Sequence, residues 1–165
     1  IIEDSRHKRH DILLLQETHS RTDHTIKDAI AYACHQCYES INTANPNKGG
    51  VAIINLNPAI DMKLVSTDAN ANWYNRVPVR ARNGIENDSV HGKWIHTSFK
   101  HCNTTVNIVN IYAPNKEKAR KYFFRNIRSR WTRQRNLVVG GDFNCVEDEF
   151  RGRCRQRAPN AYDDN

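Results

Sequence analysis

Three absences narrow the field before any motif is considered. No apolar run approaches the ~20 residues a helix needs to cross a bilayer; the aliphatic stretch Ile12 to Leu15 is typical of the short runs present. The reading is therefore of a protein with no membrane association. Its five cysteines, Cys34, Cys37, Cys102, Cys145 and Cys154, are odd in number. They form neither the paired clusters of a zinc ribbon nor a disulfide framework, which points to reduced thiols and an intracellular protein. Cys34 and Cys37 make a CxxC, but no second ligand pair follows at finger-like spacing, so ordinary thiols at a helix-to-strand junction are expected. The opening, Ile1-Ile2-Glu3-Asp4-Ser5-Arg6, has no initiator Met and no basic region followed by an apolar one. No secretory signal is read there, and the chain is expected to be a piece of something longer.

What is present is material for one domain: 165 residues, 38% of them hydrophobic. The net charge of +7 is concentrated. Between Lys116 and Arg135 stand nine basic residues against one acid, Glu117, while the 16 basic and 17 acidic side chains elsewhere nearly cancel. A local basic ridge favours a polyanionic partner through counterion release and steering. The bland alternative is a solvated helix face.

Asp11 to Gln16 is a short apolar run ending in polar residues, which suits a strand buried on both faces. A helix is expected from about Thr22 to Cys34, capped by Thr22 or Asp23, with Ile26, Ile30 and Ala33 inward. Pro46 to Gly50 is turn chemistry, and Val51 to Leu56 reads as a second buried strand. Met62 to Val65 and Trp73 to Arg80 alternate like strands, and Arg80 to Gly92 reads as loop. Thr104 to Tyr112 alternates before a sharp turn at Ala113-Pro114. The basic segment follows as a helix. Ala119, Phe123, Ile127 and Trp131 recur every fourth residue and, with Phe124, make an apolar stripe, with Lys118, Lys121, Arg125 and Arg128 opposite. Arg120 and Arg130 intrude on the stripe, where long stems can snorkel. Asn136 to Gly141 is a last short strand.

Three places share one format, an apolar strand that stops and is followed at once by carboxylates, amides or a phenol. They are Gln16-Glu17-Thr18, Tyr112-Ala113-Pro114-Asn115 and Gly141-Asp142-Phe143-Asn144. In open α/β sheets, strand ends bring side chains from distant parts of the chain to one crevice. Glu17, Asp142 and Asn144 have the oxygen-donor character that Mg²⁺ takes, one or two carboxylates with water and phosphate, and lack the thiols of a zinc site. Each also has an ordinary reading: a turn residue for Glu17, an Asx turn for Asp142, a strand-end aromatic for Tyr112, and a helix N-cap for Asn115.

Order changes the weighing. The strings LLLQET (Leu13 to Thr18), GGVAI (Gly49 to Ile53), NIYAPN (Asn110 to Asn115) and VVGGDFN (Val138 to Asn144) follow one another along the chain. Together they resemble four successive motifs of the endonuclease/exonuclease/phosphatase superfamily, which includes DNase I and the apurinic/apyrimidinic endonucleases. The flavour LQETH, YAPN and GDFNCV is most similar to the endonuclease domain of LINE-type non-LTR retrotransposons. The resemblance runs from about Asp11 to Val146.

The resemblance implies a four-layered α/β sandwich of the DNase I type, two mixed sheets with helices outside, here truncated at both ends. It implies a partial domain over 1–150; the tail over 151–165 is polar with few apolar residues to pack, and is expected to be poorly ordered. The resemblance also implies Mg²⁺, with Mn²⁺ as a substitute, held at Glu17. Asp142 matches the aspartate that orients or deprotonates the attacking water and Asn144 the amide beside it, while Tyr112 and Asn115 match the phenol and amide that support the phosphate. His19 has no derivable role. The reaction implied is in-line hydrolysis of a DNA phosphodiester to leave a nick for retrotransposition. Lys116, Lys118, Lys121, Arg125 and Arg128 are the candidates to hold the DNA backbone without reading its sequence. The context implied is a longer polyprotein with a reverse transcriptase, acting in the nucleus. The chain departs from the family in having no opening strand with its asparagine before Asp11 and no histidine after His101. Two other readings stay open, a superfamily phosphatase of inositol or sphingolipid substrates and a catalytically dead nucleic-acid-binding relic.

Overall fold

The structure, a computed structural model, describes residues 10–21, 34–43, 45–68 and 92–145 together with Ser5, Ile26 and Asp28. Strands β1 (Ile12–Gln16), β2 (Gln36–Ser40) and β3 (Val51–Asn55) form an antiparallel sheet in the order β1-β3-β2. The aliphatic run of β3 occupies the centre and is buried on both faces. β1, at one edge, is half-buried along its length, so it is less enclosed than its run of apolar residues led one to expect.

Strands β4 (Lys63–Thr67), β5 (Trp94–His101) and β6 (Thr104–Tyr112) make a second sheet, completed beyond helix α1 (Glu117–Trp131) by β7 (Leu137–Asp142). β5 and β6 are joined by a two-residue turn in which Cys102 and Asn103 have φ of 46° and 62°. Two positive φ values are what a tight turn matched to strand twist requires, here met without glycine. β6 and β7 are parallel and need the intervening helix as a crossover.

Alternation along β6 decides the layering. Val109 and Ile111 face α1, packing with Trp94, Ala119, Phe123, Ile127 and Trp131. Ile108 and Tyr112 face the other way, into a core shared with Val51, Ile53, Met62 and Ile95. On the far side of the first sheet, Ile54 and Leu56 are covered by Leu13, Leu15 and the helical residue Ile26. Three cores separate four layers, as expected of the α/β sandwich.

The four-residue stripe on α1 is buried as its spacing predicts. Of the two intruding arginines, Arg130 lies over the Trp94 ring at 5.6 Å, and Arg120 turns back to donate to Asn115 O at 2.7 Å. Asn115 is not the helix cap. That position falls to Lys116, which makes no side-chain capping bond, because the turn after Pro114 delays the helix by one residue. The strand expected at Met62 to Val65 is found shifted to Lys63–Thr67; β2 is the strand side of the junction expected at Cys34 and Cys37, while β5 was not anticipated. The strand at Trp73 to Arg80, most of the helix from Thr22 and the tail lie outside the described residues.

Candidate functional site

The carboxyl ends of β1, β6 and β7 lie together at one end of the sandwich. After Gln16 the chain turns through Glu17 and His19, both left-handed with φ of 52° and 50°. Such a conformation is costly for residues with a Cβ and persists where neighbours impose it. Here the glycine pair imposes it: Thr18 N–H donates to Gly50 O at 3.3 Å and His19 N–H to Gly49 O at 3.0 Å. Gly50, itself at φ 90°, leaves no room for a side chain, since a Cβ there would stand 2.3 Å from Thr18 Oγ1. The GG of the second motif thus shapes the loop that carries Glu17.

The Tyr112 hydroxyl, at the end of β6, donates to Glu17 Oε1. Burial above all, then the hydrogen bond to Glu17 and the charges of Glu17 and Asp142, push the phenol up to about 12, with the Asn115 side chain acting against them through its own bond. Tyr112 therefore stays protonated and works as a donor across the neutral range.

Asp142 is the register partner of Tyr112 in the parallel pair. Its Oδ1 accepts the Asn144 N–H at 2.8 Å, and Asn144 takes the left-handed conformation, φ 48°. This is the Asx turn that was the ordinary reading of Asp142, and it does not exclude a second role for an exposed carboxylate. The Asn144 amide donates to Ala113 O at 2.6 Å, and Ala113 N–H to Asp142 O at 2.8 Å. The β7 turn is thereby fastened to the residue after Tyr112. Gly141, at φ 130°, makes this approach possible, because a Cβ would sit 2.0 Å from Ile111 O.

A buried amide joins the two sheets behind the site. Asn110 is fully enclosed; its Nδ2 donates to Leu15 O at 2.7 Å and Ala52 O at 2.8 Å, while its Oδ1 accepts from Gln16 Nε2 at 2.6 Å. It fixes the end of β1 against β6, and so Glu17 against Tyr112.

In front lies a cleft of 320 Å³ whose walls include Glu17, His19, Tyr112, Asn115 and Lys116. Lys48 and Lys93 line it too, and neither was singled out from the sequence. Lys93 is 5% exposed, with its Nζ 4.0 Å from the Tyr112 ring centroid. Lys118, Lys121, Arg125 and Arg128 are exposed on the outer face of α1, and Lys121 is ion-paired to Glu117 at 2.6 Å. Of the five basic residues expected to meet a backbone, only Lys116 lines the cleft.

Among the described residues no three His, Cys, Asp or Glu side chains cluster as metal ligands. What the strand ends supply is two carboxylates, Glu17 and Asp142, that both act on Tyr112. That donor set is unlike a zinc site but fits a hard cation held by one or two carboxylates with water and phosphate completing its shell.

A fold of two sheets between helical layers, with carboxylates gathered at its strand ends, has a counterpart among known families. The endonuclease/exonuclease/phosphatase family model matches residues 4–158, and the chain belongs to that family. No curated protein sequence matches it. Among solved structures it is similar to the endonuclease domain of TRAS1, a telomere-specific non-LTR retrotransposon, at 13% identity and a TM-score of 0.50, over 87% of this chain and 51% of that one. It is also similar to a conserved protein of unknown function from Enterococcus faecalis, at 17% identity and 0.56, over 87% and 56%. A third likeness is to the human Nocturnin catalytic domain, at 16% and 0.50, over 87% and 55%. At these identities the likeness is one of fold, which is DNase I-like, and the chain spans about half the length of each.

Proposed function

We propose that the chain is part of a metal-dependent DNA endonuclease, hydrolysing phosphodiesters to nick a target for retrotransposition. The observation that carries this reading is the Tyr112 to Glu17 hydrogen bond, made between residues 95 apart in sequence and flanked by Asp142. Glu17 is the residue to hold a divalent cation, Mg²⁺ or Mn²⁺, and Asp142 serves that ion through the water it positions. When bound, such an ion supplies positive charge against the non-bridging oxygens of the phosphate. Tyr112 orients the Glu17 carboxylate through its fixed donor. Asp142, exposed at its strand end, accepts the proton of the attacking water. Asn144 has a second amide N–H to offer phosphate besides the one given to Ala113, and Asn115 bonds the phenol and, like it, lines the cleft.

Retrotransposition, and with it a nuclear setting and a polyprotein that includes a reverse transcriptase, is supported by the flavour of the four motifs and by the likeness to the TRAS1 domain. The exposed basic residues Lys118, Lys121, Arg125 and Arg128, with Lys116, are proposed to follow the DNA backbone. These 165 residues alone are proposed to turn over feebly at best, since the family's closing histidine has no counterpart after His101.

Nicking of supercoiled plasmid with Mg²⁺ tests the reading. A chain extended to the family's full length is expected to nick, with Glu17→Ala and Asp142→Ala each at least about 10²-fold slower. Undiminished activity in both variants defeats the site assignment.

A further inference from the structure

Asp68 follows β4 and is 2% exposed. A buried carboxylate is costly unless bonds and charge compensate it, and packing alone is served as well by an apolar side chain. Both oxygens of this one are engaged. Oδ1 accepts the Ser40 hydroxyl at 2.8 Å, Oδ2 accepts the Lys93 N–H at 2.6 Å, and the Lys93 charge acts on the same group. The Asp68 N–H donates to Trp94 O at 3.3 Å, so backbone and side chain together grip the start of β5. Ser40 closes β2 in the first sheet, whereas Asp68 leaves the second. Ser40 and Gln16 both have Val51 as register partner, so this tie between sheets lies at the end from which Glu17 departs.

What Asp68 grips is a junction. The Gly92 C=O accepts the Gly50 N–H at 3.2 Å, and the Lys93 C=O accepts the Tyr112 N–H at 2.7 Å. Gly50 O in turn accepts the N–H of Thr18, the residue after Glu17. Two adjacent residues thus bond toward both halves of the Glu17 and Tyr112 pair, one through the glycine turn and the other at the residue that carries the phenol. Lys93 serves through its backbone, with its ammonium engaged by Asp68 and by the Tyr112 ring at 4.0 Å. A displacement of about 1 Å in either backbone would take a hydrogen bond out of range.

We infer that Asp68 is a positioning residue of the site: it holds the Gly92 and Lys93 backbone and through it sets the Glu17 turn and Tyr112 within hydrogen-bonding reach of each other. What the pair then does rests on the endonuclease reading. The inference adds a residue that none of the four motifs contains, since Asp68 lies between the second and the third.

Two readouts on the full 165-residue chain separate positioning from general stability. Amide hydrogen exchange by NMR and Mn²⁺ affinity by electron paramagnetic resonance are compared for wild type, Asp68→Ala and Asp68→Asn. Alanine removes both side-chain bonds. Asparagine keeps both, accepting the Lys93 N–H on its oxygen and donating from its amide to the Ser40 hydroxyl. Asp68→Ala is expected to lower protection at Thr18, Gly50 and Tyr112 at least about tenfold more than at Ile53 and Ile54 in β3, and to weaken Mn²⁺ about tenfold. Asp68→Asn is expected to restore both. If the alanine variant does not fold, Ser40→Ala, which cuts only the tie to the first sheet, is expected to show the same pattern at smaller amplitude. Protection lost evenly along the chain, or unchanged at those three amides, overturns the positioning role, as does undiminished Mn²⁺ affinity in Asp68→Ala. A wild-type chain that binds no Mn²⁺ overturns the endonuclease reading instead, and the exchange pattern alone then decides whether Asp68 sets the pair.

Discussion

A carboxylate held by a tyrosine hydroxyl has one oxygen committed and one to give, and the ligand role proposed for Glu17 rests on this division. Tyr112 can perform that service at any neutral pH because its phenol is raised to about 12. Asp68 is the other titratable group near the site with a large displacement. Burial pushes it from 3.8 to about 6, against the opposing pull of Ser40, the backbone N–H groups and the Lys93 charge. The folded chain then retains a proton that the unfolded chain releases, so this contribution to stability is complete below pH 4 and lost as pH rises through about 6. Thermal melts of wild type and Asp68→Asn are expected to show the wild type losing ground to the variant between those limits, with no further change above. A difference that stays flat, or reverses, contradicts the assignment. His96 leans the other way, its pKa lowered by burial against the hydrogen bond to Asn107, and so favours its neutral form.

At the level of the element, the helix and the aliphatic strands were legible because their signals are local. Four apolar residues at helical spacing define the face of α1 whatever it packs on, and Val51 to Ile54 reads as a central strand from four letters. β5 was not legible, and β2 only as the strand side of a junction at Cys34 and Cys37, for the opposite reason. Gln36, Ser40, His96 and Thr97 are polar residues placed in strands, and three of them are accommodated by partners far along the chain: Met62 for Gln36, Asp68 for Ser40 and Asn107 for His96. Nothing within five residues of them announces those partners. Asn110 is the sharpest case, since it lies inside a recognised motif and yet its role depends on two other strands. Asn110→Leu leaves the carbonyls of Leu15 and Ala52 and the Gln16 amide to find other partners. It is expected to cost about 3 kcal/mol or more in urea unfolding, against roughly 1 kcal/mol for an ordinary hydrogen bond. A loss below 1 kcal/mol means that the two sheets are not tied there.

Across the whole molecule, the site is a product of closure. Glu17 comes from the first sheet, Tyr112 and Asp142 from the second; the glycine pair and Asn110 are what let the sheets meet at one end, while Gly141 lets β7 close on β6. The residues of the proposed site were picked out by motifs in order. Their geometry could not have been, because the left-handed turn at Glu17 follows from Gly49 and Gly50, more than 30 positions away. Lys93 escaped notice because a lysine's burial is decided entirely by the tertiary fold. The central claim, that Glu17 and Asp142 serve one divalent cation, is tested most directly by counting Mn²⁺ bound to the chain by electron paramagnetic resonance. One ion per chain is predicted for the wild type, weakened at least about tenfold by Glu17→Gln and by Asp142→Asn alike. Mn²⁺ bound equally well by the wild type and both variants, or weakened by only one of the two changes, contradicts it.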